Sequence, residues 1–595
     1  MDSTYFSPFV LPFCIGVIVL LIICTIKYTR WFKQFDRLQR VIIRKNIFSW
    51  RFVAAIGEAF TECLLHRKVT HKNILLGYMH RSIAFGWFLL IVVGAIESSL
   101  AVPSGKPLWL GIFYRYFVPG THLFKGERFL TNLMDLILLY VLSGIFLAVC
   151  KRIYSGFVGI KRPTKHVIFD KFALFSLWCI FPLRLLSESL TATLVNNGGF
   201  LTQSIGDLFS HSFANNFELT SWTLYSFALG TFFVALPFSR YMHIFTEPFL
   251  IYFRKIGVYE NEKSSGYTKF ELSACSRCGI CIDSCPLSSE LGINNVQSVY
   301  FLRDIRYKKL KQEIADNCLM CNRCVNDCPV GLELTTIRKQ KRYKEELDTH
   351  DNYAYLNNIQ SFNSIGRVIY FAGCMSHLTP GITSAMKNIF EKVGQKYWFM
   401  DEERSICCGR PLLQQGFIQQ ATELRRKNTA LIKQSGAQLL ITSCPICYQS
   451  FKKEYNLPIK VMHHTEYLNL LIKENKLPLT KDDLKIVYHD PCELGRGCGI
   501  YKEPRNVLKA VSKLVKSKYE KSSSLCCGYN LGDTVLELDQ QMKIRNATMN
   551  NLLKKKPDII ATACPMCKKA FTHATNFPVK DIAEIVATHF VDTKD

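Results

Sequence analysis

The sequence is short of negative charge: 48 Asp and Glu stand against 74 Lys and Arg, a net charge of +26 at pH 7. A basic chain can bind nucleic acid, yet no recognition module for it is visible, and several long apolar runs oppose that reading. A glycine-rich dinucleotide fingerprint after a strand is also missing, so a flavin or nicotinamide, if one is used, belongs to a partner. The apolar run at residues 9–25 has no basic region before it and no small-residue cleavage site after it. That excludes a secretory signal and predicts a retained helix.

Cysteine, by contrast, is abundant: 24 residues, of which 18 fall into four ordered sets. Cys275, Cys278, Cys281 and Cys285-Pro286 form C-x2-C-x2-C-x3-C-P, and Cys318, Cys321, Cys324 and Cys328-Pro329 repeat it. This is the ligand run of a ferredoxin carrying two cubane [4Fe–4S] clusters. Three thiolates in one tight loop hold three corners of a cube, and the fourth reaches across to the other cluster. The expected sets are Cys275, Cys278, Cys281 and Cys328 on one cube and Cys318, Cys321, Cys324 and Cys285 on the other. Zinc on the C-x2-C pairs would need four ligands per tetrahedral site and no proline after the last cysteine. Thiols in these spacings suit metals in a reducing, intracellular compartment better than a disulfide framework.

The remaining ten lie in an internal duplication. Cys374 is followed by Cys407-Cys408-Gly409 and Cys444-Pro445-Ile446-Cys447; Cys492 is followed by Cys526-Cys527-Gly528 and Cys564-Pro565-Met566-Cys567. Equivalent cysteines are 118, 119 and 120 residues apart, so two whole domains are repeated. Apolar runs at 368–372, 439–442, 486–488 and 559–562 predict short strands ending at a cysteine. Polar, helix-period stretches at 419–433 and 538–554 lie between them. The pattern is α/β, with ligands in the loops at strand ends, where such sheets present their sites. Cys498 falls outside every set and is expected to be a bystander.

The spacing Cys-x31–38-Cys-Cys-Gly-x33–35-Cys-x-x-Cys resembles the CCG (cysteine-rich) domain of the heterodisulfide reductase superfamily, also found in iron–sulfur subunits of glycerol-3-phosphate, glycolate and lactate oxidation systems. The stretch His489-Asp490-Pro491-Cys492-Glu493-Leu494-Gly495-Arg496, with Gly499, Tyr501, Pro504 and Arg505 after it, is similar to the surroundings of the first cysteine in that family's second CCG domain. The resemblance covers about residues 260–590. It implies that a complete CCG domain holds a noncubane [4Fe–4S] cluster on all five cysteines. The ligands would be Cys374, Cys407, Cys408, Cys444 and Cys447 in the first copy and Cys492, Cys526, Cys527, Cys564 and Cys567 in the second, with the second set catalytic. One copy holding an ordinary cubane cluster and only relaying electrons is the alternative, so one or two noncubane clusters are expected.

The first 250 residues carry five runs long enough to cross a membrane, at 9–25, 74–96, 130–150, 173–194 and 219–237. Basic residues follow the first, third and fifth, among them Lys27, Arg30, Lys151, Arg152, Arg240 and Arg254. The positive-inside rule then puts the N-terminus outside and the iron–sulfur domains in the cytoplasm, in a multi-pass protein of the inner membrane. Part of the net charge is explained by basic loops meeting anionic lipid headgroups. Further basic stretches at 303–311 and 338–344 are expected to form a docking face for an acidic electron-transfer partner.

His80 and His243 are expected at the same cytoplasmic depth on antiparallel helices, a standard way to hold one haem b between neutral imidazoles. Membrane-edge histidines can also simply meet headgroups, as His66 and His71 would. Five spans with this histidine placement resemble the cytochrome b subunit of respiratory nitrate reductase and the membrane subunit of methanogen heterodisulfide reductase. The second histidine pair of the nitrate reductase pattern falls here on Leu90 and Tyr225, which puts a second haem in doubt. Arg184 and Glu188 in the fourth run, with Glu97 and Asp135 near the outer ends of the second and third, are costly charges for a bilayer and are expected to pair or to move protons.

The expected organisation is a five-span helical membrane domain (1–255), an α-rich bacterial-type ferredoxin module (256–345), and two α/β CCG domains (346–475 and 476–595). The short polar linker at 260–266 would keep the ferredoxin module near the membrane. The expected function is a quinone-linked oxidoreductase, an enzyme passing electrons between menaquinone and a cytoplasmic disulfide/dithiol substrate. An electron conduit between a flavoprotein and the quinone pool is the other reading.

Overall fold

A computed structural model describes residues 5–102, 104, 106–121, 123–154, 164, 166–259, 265–342, 367–403, 406–529 and 536–591. The chain divides into two compact units, Met1–Ile280 and Cys281–Asp595. The boundary falls inside the first ferredoxin run, so Cys275 and Cys278 belong to the first unit and Cys281 and Cys285 to the second. Most of the linker at 260–266 lies outside the described residues.

The first unit is helical. Its long elements are α1 (Leu11–Lys33), α2 (Ile74–Ala101), α3 (Glu127–Ile153), α4 (Ile168–Val195) and α5 (His211–Ala235), followed by the shorter α6 (His243–Lys255). Among the described residues, four stretches are long and apolar enough to cross a membrane: Pro8–Lys33, Ile74–Ala101, Glu127–Ile153 and His211–Phe238. These contain four of the five expected spans. The other expected span lies inside α4, which is 28 residues long but carries Asp170, Lys171, Arg184 and Glu188. The helices share one apolar core that includes Leu90, Val141, Phe181, Trp222 and Phe232. Small residues allow the closest approach: a Cβ on Gly16 of α1 would lie 2.7 Å from the Gly230 Cα of α5, the small-residue packing that apolar helices use where backbones meet.

Several charges buried in this unit are paired. Arg184 Nε donates to Glu188 at 2.9 Å one turn along α4, and Arg184 also hydrogen-bonds Tyr225. Glu97 accepts from Arg115 Nη2 at 2.6 Å. Asp135 accepts the backbone N–H groups of Leu201 and Thr202 at 2.8 and 3.0 Å. Tyr225 fills one expected position of a second haem pair and is buried with its hydroxyl on Arg184.

In the second unit, helix α7 (Leu334–Lys341) closes the ferredoxin segment. Two parallel sheets follow. The first orders its strands β2-β1-β3-β4, with β1 Val368–Phe371, β2 Trp398–Phe399, β3 Leu439–Thr442 and β4 Lys460–His463; helix α8 (Ile418–Gln434) precedes β3. The second repeats the order as β6-β5-β7-β8, with β5 Lys485–His489, β6 Lys513–Val515, β7 Ile559–Thr562 and β8 Val579–Asp581; helix α9 (Leu538–Leu553) precedes β7. All six strand pairings are parallel. One buried cluster joins Tyr370, Ile441 and Tyr467 of the first repeat to Tyr488, Ala561 and Ile582 of the second, so the two repeats share a core. The edge strands β2, β4, β6 and β8 escape sequence reading because, unlike the uninterrupted apolar runs of β1, β3 and β7, they are only two residues long or are mixed with Lys, His or Asp.

The basic stretch at 338–344 does not form the expected docking face where it is described. Arg338 and Arg342 are buried, donating to the carbonyls of Ala315, Val296, Cys318 and Gln414. A guanidinium has five donors, and here they satisfy carbonyls left over by the irregular ferredoxin loops. Charge along a sequence does not distinguish that role from a solvated face.

Candidate functional site

The strand order decides where the thiols gather. In each sheet the chain leaves its first strand toward one edge and returns past it toward the other, so the switch point lies between β1 and β3, and between β5 and β7. In open parallel sheets ligands bind outside the carboxyl ends of the strands at that point. Cys374 and Cys444 follow β1 and β3 by three and two residues, and Cys492 and Cys564 follow β5 and β7 in the same way. The Cys-Cys-Gly turns come from the loops after β2 and β6. Both turns place their glycine in the left-handed region, Gly409 at φ 79° and Gly528 at φ 76°, where a side chain is strained.

Within the first repeat the thiols form a chain of contacts. Cys374 bonds Cys407, Cys407 bonds Cys408, Cys408 bonds Cys447, and Cys447 bonds Cys444. Hydrogen bonds from Cys407 and Cys447 pull the Cys408 thiol down to about 6, while giving its proton to Cys408 and Cys444 raises Cys447. The second repeat reproduces this: Cys526 and Cys567 lower Cys527, and Cys567 is raised. Cys492 lies within electrostatic reach of Cys526 and Cys527. In each copy one thiol is thus held toward its thiolate form, the form that binds metal.

The surrounding helices fix the turns through their carbonyls. Asn428 on α8 donates to the Cys407 carbonyl at 2.8 Å, and Thr548, its counterpart on α9, donates to the Cys526 carbonyl at 2.6 Å. Gly373 provides room beside the first set, since a Cβ there would lie 2.9 Å from both the Cys444 Cβ and the Cys447 Sγ. Among the described residues no three His, Cys, Asp or Glu side chains converge as they would on a single ion. A cluster is wider than an ion, and five soft thiols around a side-chain-free glycine fit a multi-iron group.

The second ferredoxin run gathers as its spacing predicts: Cys285 has Cys321, Cys318 and Cys324 as electrostatic neighbours, and burial raises its thiol. Of the other expected set, Cys275 and Cys278 lie in the first unit, and Arg277 between them is buried on the Asp170 carboxylate at the start of α4. Asp170 also accepts the backbone N–H of Arg240 at 2.8 Å. The carbonyl of Arg240 faces His243 Nδ1 at 2.8 Å. A short polar path therefore runs from His243 to the first ferredoxin loop.

His80 makes the matching contact on α2, with Nδ1 2.9 Å from the Leu76 carbonyl. A carbonyl on Nδ1 selects the tautomer whose Nε2 carries the lone pair, the arrangement of a metal-ligating imidazole. His80 is within electrostatic reach of both His66 and His243. His66 packs its ring 5.4 Å from that of His80, and burial lowers its imidazole. That contact with His80 is one that no spacing rule reveals.

The motif at 489–505 has separable structural roles. Asp490 holds Arg505 through two bonds of 2.7 Å. Glu493, beside Cys492, accepts from Arg410 and Gln414 of the first repeat at 3.4 and 3.2 Å. Cys498 packs against the shared core, and burial pushes its thiol up to about 12.

Comparison with known proteins follows the same divisions. A Cysteine-rich domain model matches residues 368–452 and 486–572, and a 4Fe-4S dicluster domain model matches 271–332. One subunit of the dihydromethanophenazine:CoB–CoM heterodisulfide reductase of Methanosarcina acetivorans is 27% identical over 337 residues, 54% of this chain and 78% of that protein. Residues 271–572 carry the domains of the heterodisulfide-reductase-like iron–sulfur superfamily. The chain is an iron–sulfur oxidoreductase with 4Fe-4S clusters. Other relatives extend the comparison. EtfAB:quinone oxidoreductase of Syntrophomonas wolfei is 30% identical over 240 residues, 37% of this chain and 34% of that protein. A protein of Chromohalobacter salexigens named "Probable membrane-anchored ferredoxin" is 30% identical over 188 residues, 29% of this chain and 28% of its own length. With the four apolar helices, this relative points to membrane association.

Proposed function

We propose that this oxidoreductase passes electrons between menaquinone and a cytoplasmic disulfide/dithiol substrate. The observation that carries the reading is the completeness of both five-cysteine sets at the switch points of two parallel sheets. A cubane cluster uses four thiolates, and a relay needs no fifth. The two ferredoxin sets and the two CCG sets named above are the proposed ligands, with Cys492, Cys526, Cys527, Cys564 and Cys567 at the substrate. Bound there, the clusters would supply single electrons and an iron atom for substrate sulfur. The chain's own residues hold the ligand loops through Asn428 and Thr548 and anchor the first ferredoxin loop through Arg277 on Asp170.

In the helical unit, His80 and His243 are the proposed axial ligands of one haem b, supported by the carbonyl contact at each Nδ1. α4 is proposed as the fifth span, its ion pair being internally neutralised. The N-terminus would lie outside and the iron–sulfur domains in the cytoplasm. Replacing either histidine with alanine should abolish the same low-spin b-type absorbance and leave the iron–sulfur signals; a variant that keeps the band removes the assignment.

The similarity to EtfAB:quinone oxidoreductase favours a second reading, an electron conduit from a cytoplasmic flavoprotein to the quinone pool. Anaerobic stopped-flow absorbance separates the two. Under the first reading a dithiol reduces the clusters of the purified protein; reduction by an electron-transferring flavoprotein, with no response to any dithiol or disulfide, would establish the second.

A further inference from the structure

Arg496 lies four residues after Cys492, and its guanidinium joins two parts of the second unit. Nε donates to the carbonyl of Cys321 in the ferredoxin segment at 2.8 Å. Nη1 donates to the carbonyls of Ser524 and Ser522 at 2.8 and 3.3 Å, in the segment that runs directly into Cys526. The two loops so joined bring their thiols together: Cys321 donates a hydrogen bond to Cys526, and both share a buried cluster with Leu287, Leu319 and Ile544. The remaining nitrogen, Nη2, is buried with no acceptor among the described residues. The guanidinium charge is within reach of the thiols of Cys321, Cys492 and Cys526.

We propose that Arg496 is a positioning residue that clamps the Cys321 loop of the ferredoxin module to the Cys526 loop of the second cysteine-rich domain, with Nη2–H as donor to cluster sulfur between them. The inference rests on the ligand sets proposed above. Three bonds to carbonyls fix the separation of the two thiolate sets, on which the rate of electron passage depends. A fixed positive charge and an N–H···S bond favour the reduced, more negative state of either cluster, so both raise its potential. One electron crosses per event, one cluster being oxidised as the other is reduced, and no bond is made or broken. Lysine could keep the charge but not the planar fork.

The test uses the full-length protein purified anaerobically, with iron content, EPR-monitored redox titration and cluster-to-cluster magnetic broadening as readouts. Arg496→Met should lower the midpoint potential of the ferredoxin cluster or its CCG neighbour, reduce the broadening between them, and slow electron passage roughly ten- to a hundredfold. Arg496→Lys should recover much of the potential but not the broadening. Lys543→Met, which removes a charge from an exposed pair on α9, should change neither. If Arg496→Met loads its full iron and keeps both the wild-type potentials and the broadening, the clamp is disproved while the ligand sets stand. If Arg496→Met fails to load, Arg496→Lys decides, and identity with wild type in both readouts disproves the clamp. Wild-type protein lacking both clusters would remove the underlying reading as well.

Discussion

In the first cysteine-rich domain the thiol that bonds the leading cysteine of the Cys-Cys-Gly turn is the domain's own Cys374, an exposed residue. In the second domain the same place on Cys526 is taken by Cys321, which arrives from the ferredoxin module, while Cys492 stands nearby. Two copies of one motif have thus been turned to different neighbours. The second copy touches the ferredoxin clusters' ligand loop; the first reaches the second through Arg410 and Glu493. A repeat preserves what is local to it and leaves free what packs against it.

The largest effect expected on this asymmetry is chemical. Cys527→Ser offers a hard oxygen where iron–sulfur chemistry needs a soft thiolate, and should lower disulfide or dithiol turnover more than about a hundredfold, since losing even an outer-sphere partner costs 10–100-fold. Four loaded sets imply about sixteen irons per chain, and this variant should hold about twelve. Cys408→Ser should lose the same iron but retain some turnover if the first copy relays. Equal losses would break the asymmetry.

Next in size is the link between the copies. Arg410 is buried against Glu454, Gln449 and Glu493. Arg410→Met removes the cation paired with Glu493 and leaves Glu454 only Lys339 at 3.8 Å, and should destabilise the second unit by about 3 kcal/mol, read as a lower midpoint in anaerobic denaturation. An unchanged midpoint would mean that the copies stand without this contact.

A pH effect at the end of the leading strand should belong to the second copy, while the first copy's buried His463, also lowered by burial, lies on an edge strand instead. The second copy's strand β5 ends at His489, packed edge-on against Phe571, where the first copy has Phe371 against Phe451. Burial holds the His489 imidazole down to about 4 from 6.5. The unfolded chain therefore binds the proton first, and stability falls as pH drops from about 6.5 to about 4, by up to about 3 kcal/mol. His489→Phe should remove that part of the slope. A parent protein whose denaturation midpoint is flat over the window contradicts it.

The smallest contrast compares the two turn glycines. Alanine at either must take a left-handed conformation, costing about 1–2 kcal/mol. At Gly409 the nearest atom to the new Cβ is the Leu424 Cδ2 at 3.4 Å, whereas at Gly528 it is the Gln541 carbonyl oxygen at 2.7 Å. Gly528→Ala should therefore be the worse of the two by about 1 kcal/mol or more. Denaturation midpoints of both variants give the comparison directly.

Much of the fold was readable because its signals are local. Strands β3 and β7 match their apolar runs residue for residue, and α8 and α9 lie within one residue of their helical periods. The apolar runs at 9–25, 74–96, 130–150 and 219–237 fall inside helices of spanning length. The misplaced features are those that require a distant partner. Arg338 and Arg342 looked like surface charge and instead fill carbonyl sockets.

The sequence by itself determined the thiol inventory, the duplication and the apolar spans, because ligand spacing and hydropathy act over a few residues of chain. Only the tertiary structure decided that Cys321 meets Cys526 from 205 positions away in the chain, that Arg496 joins their loops, and that Glu493 ties one repeat to the other. Such contacts are chosen by packing between elements far apart in the chain, for which neither spacing nor periodicity carries a signal.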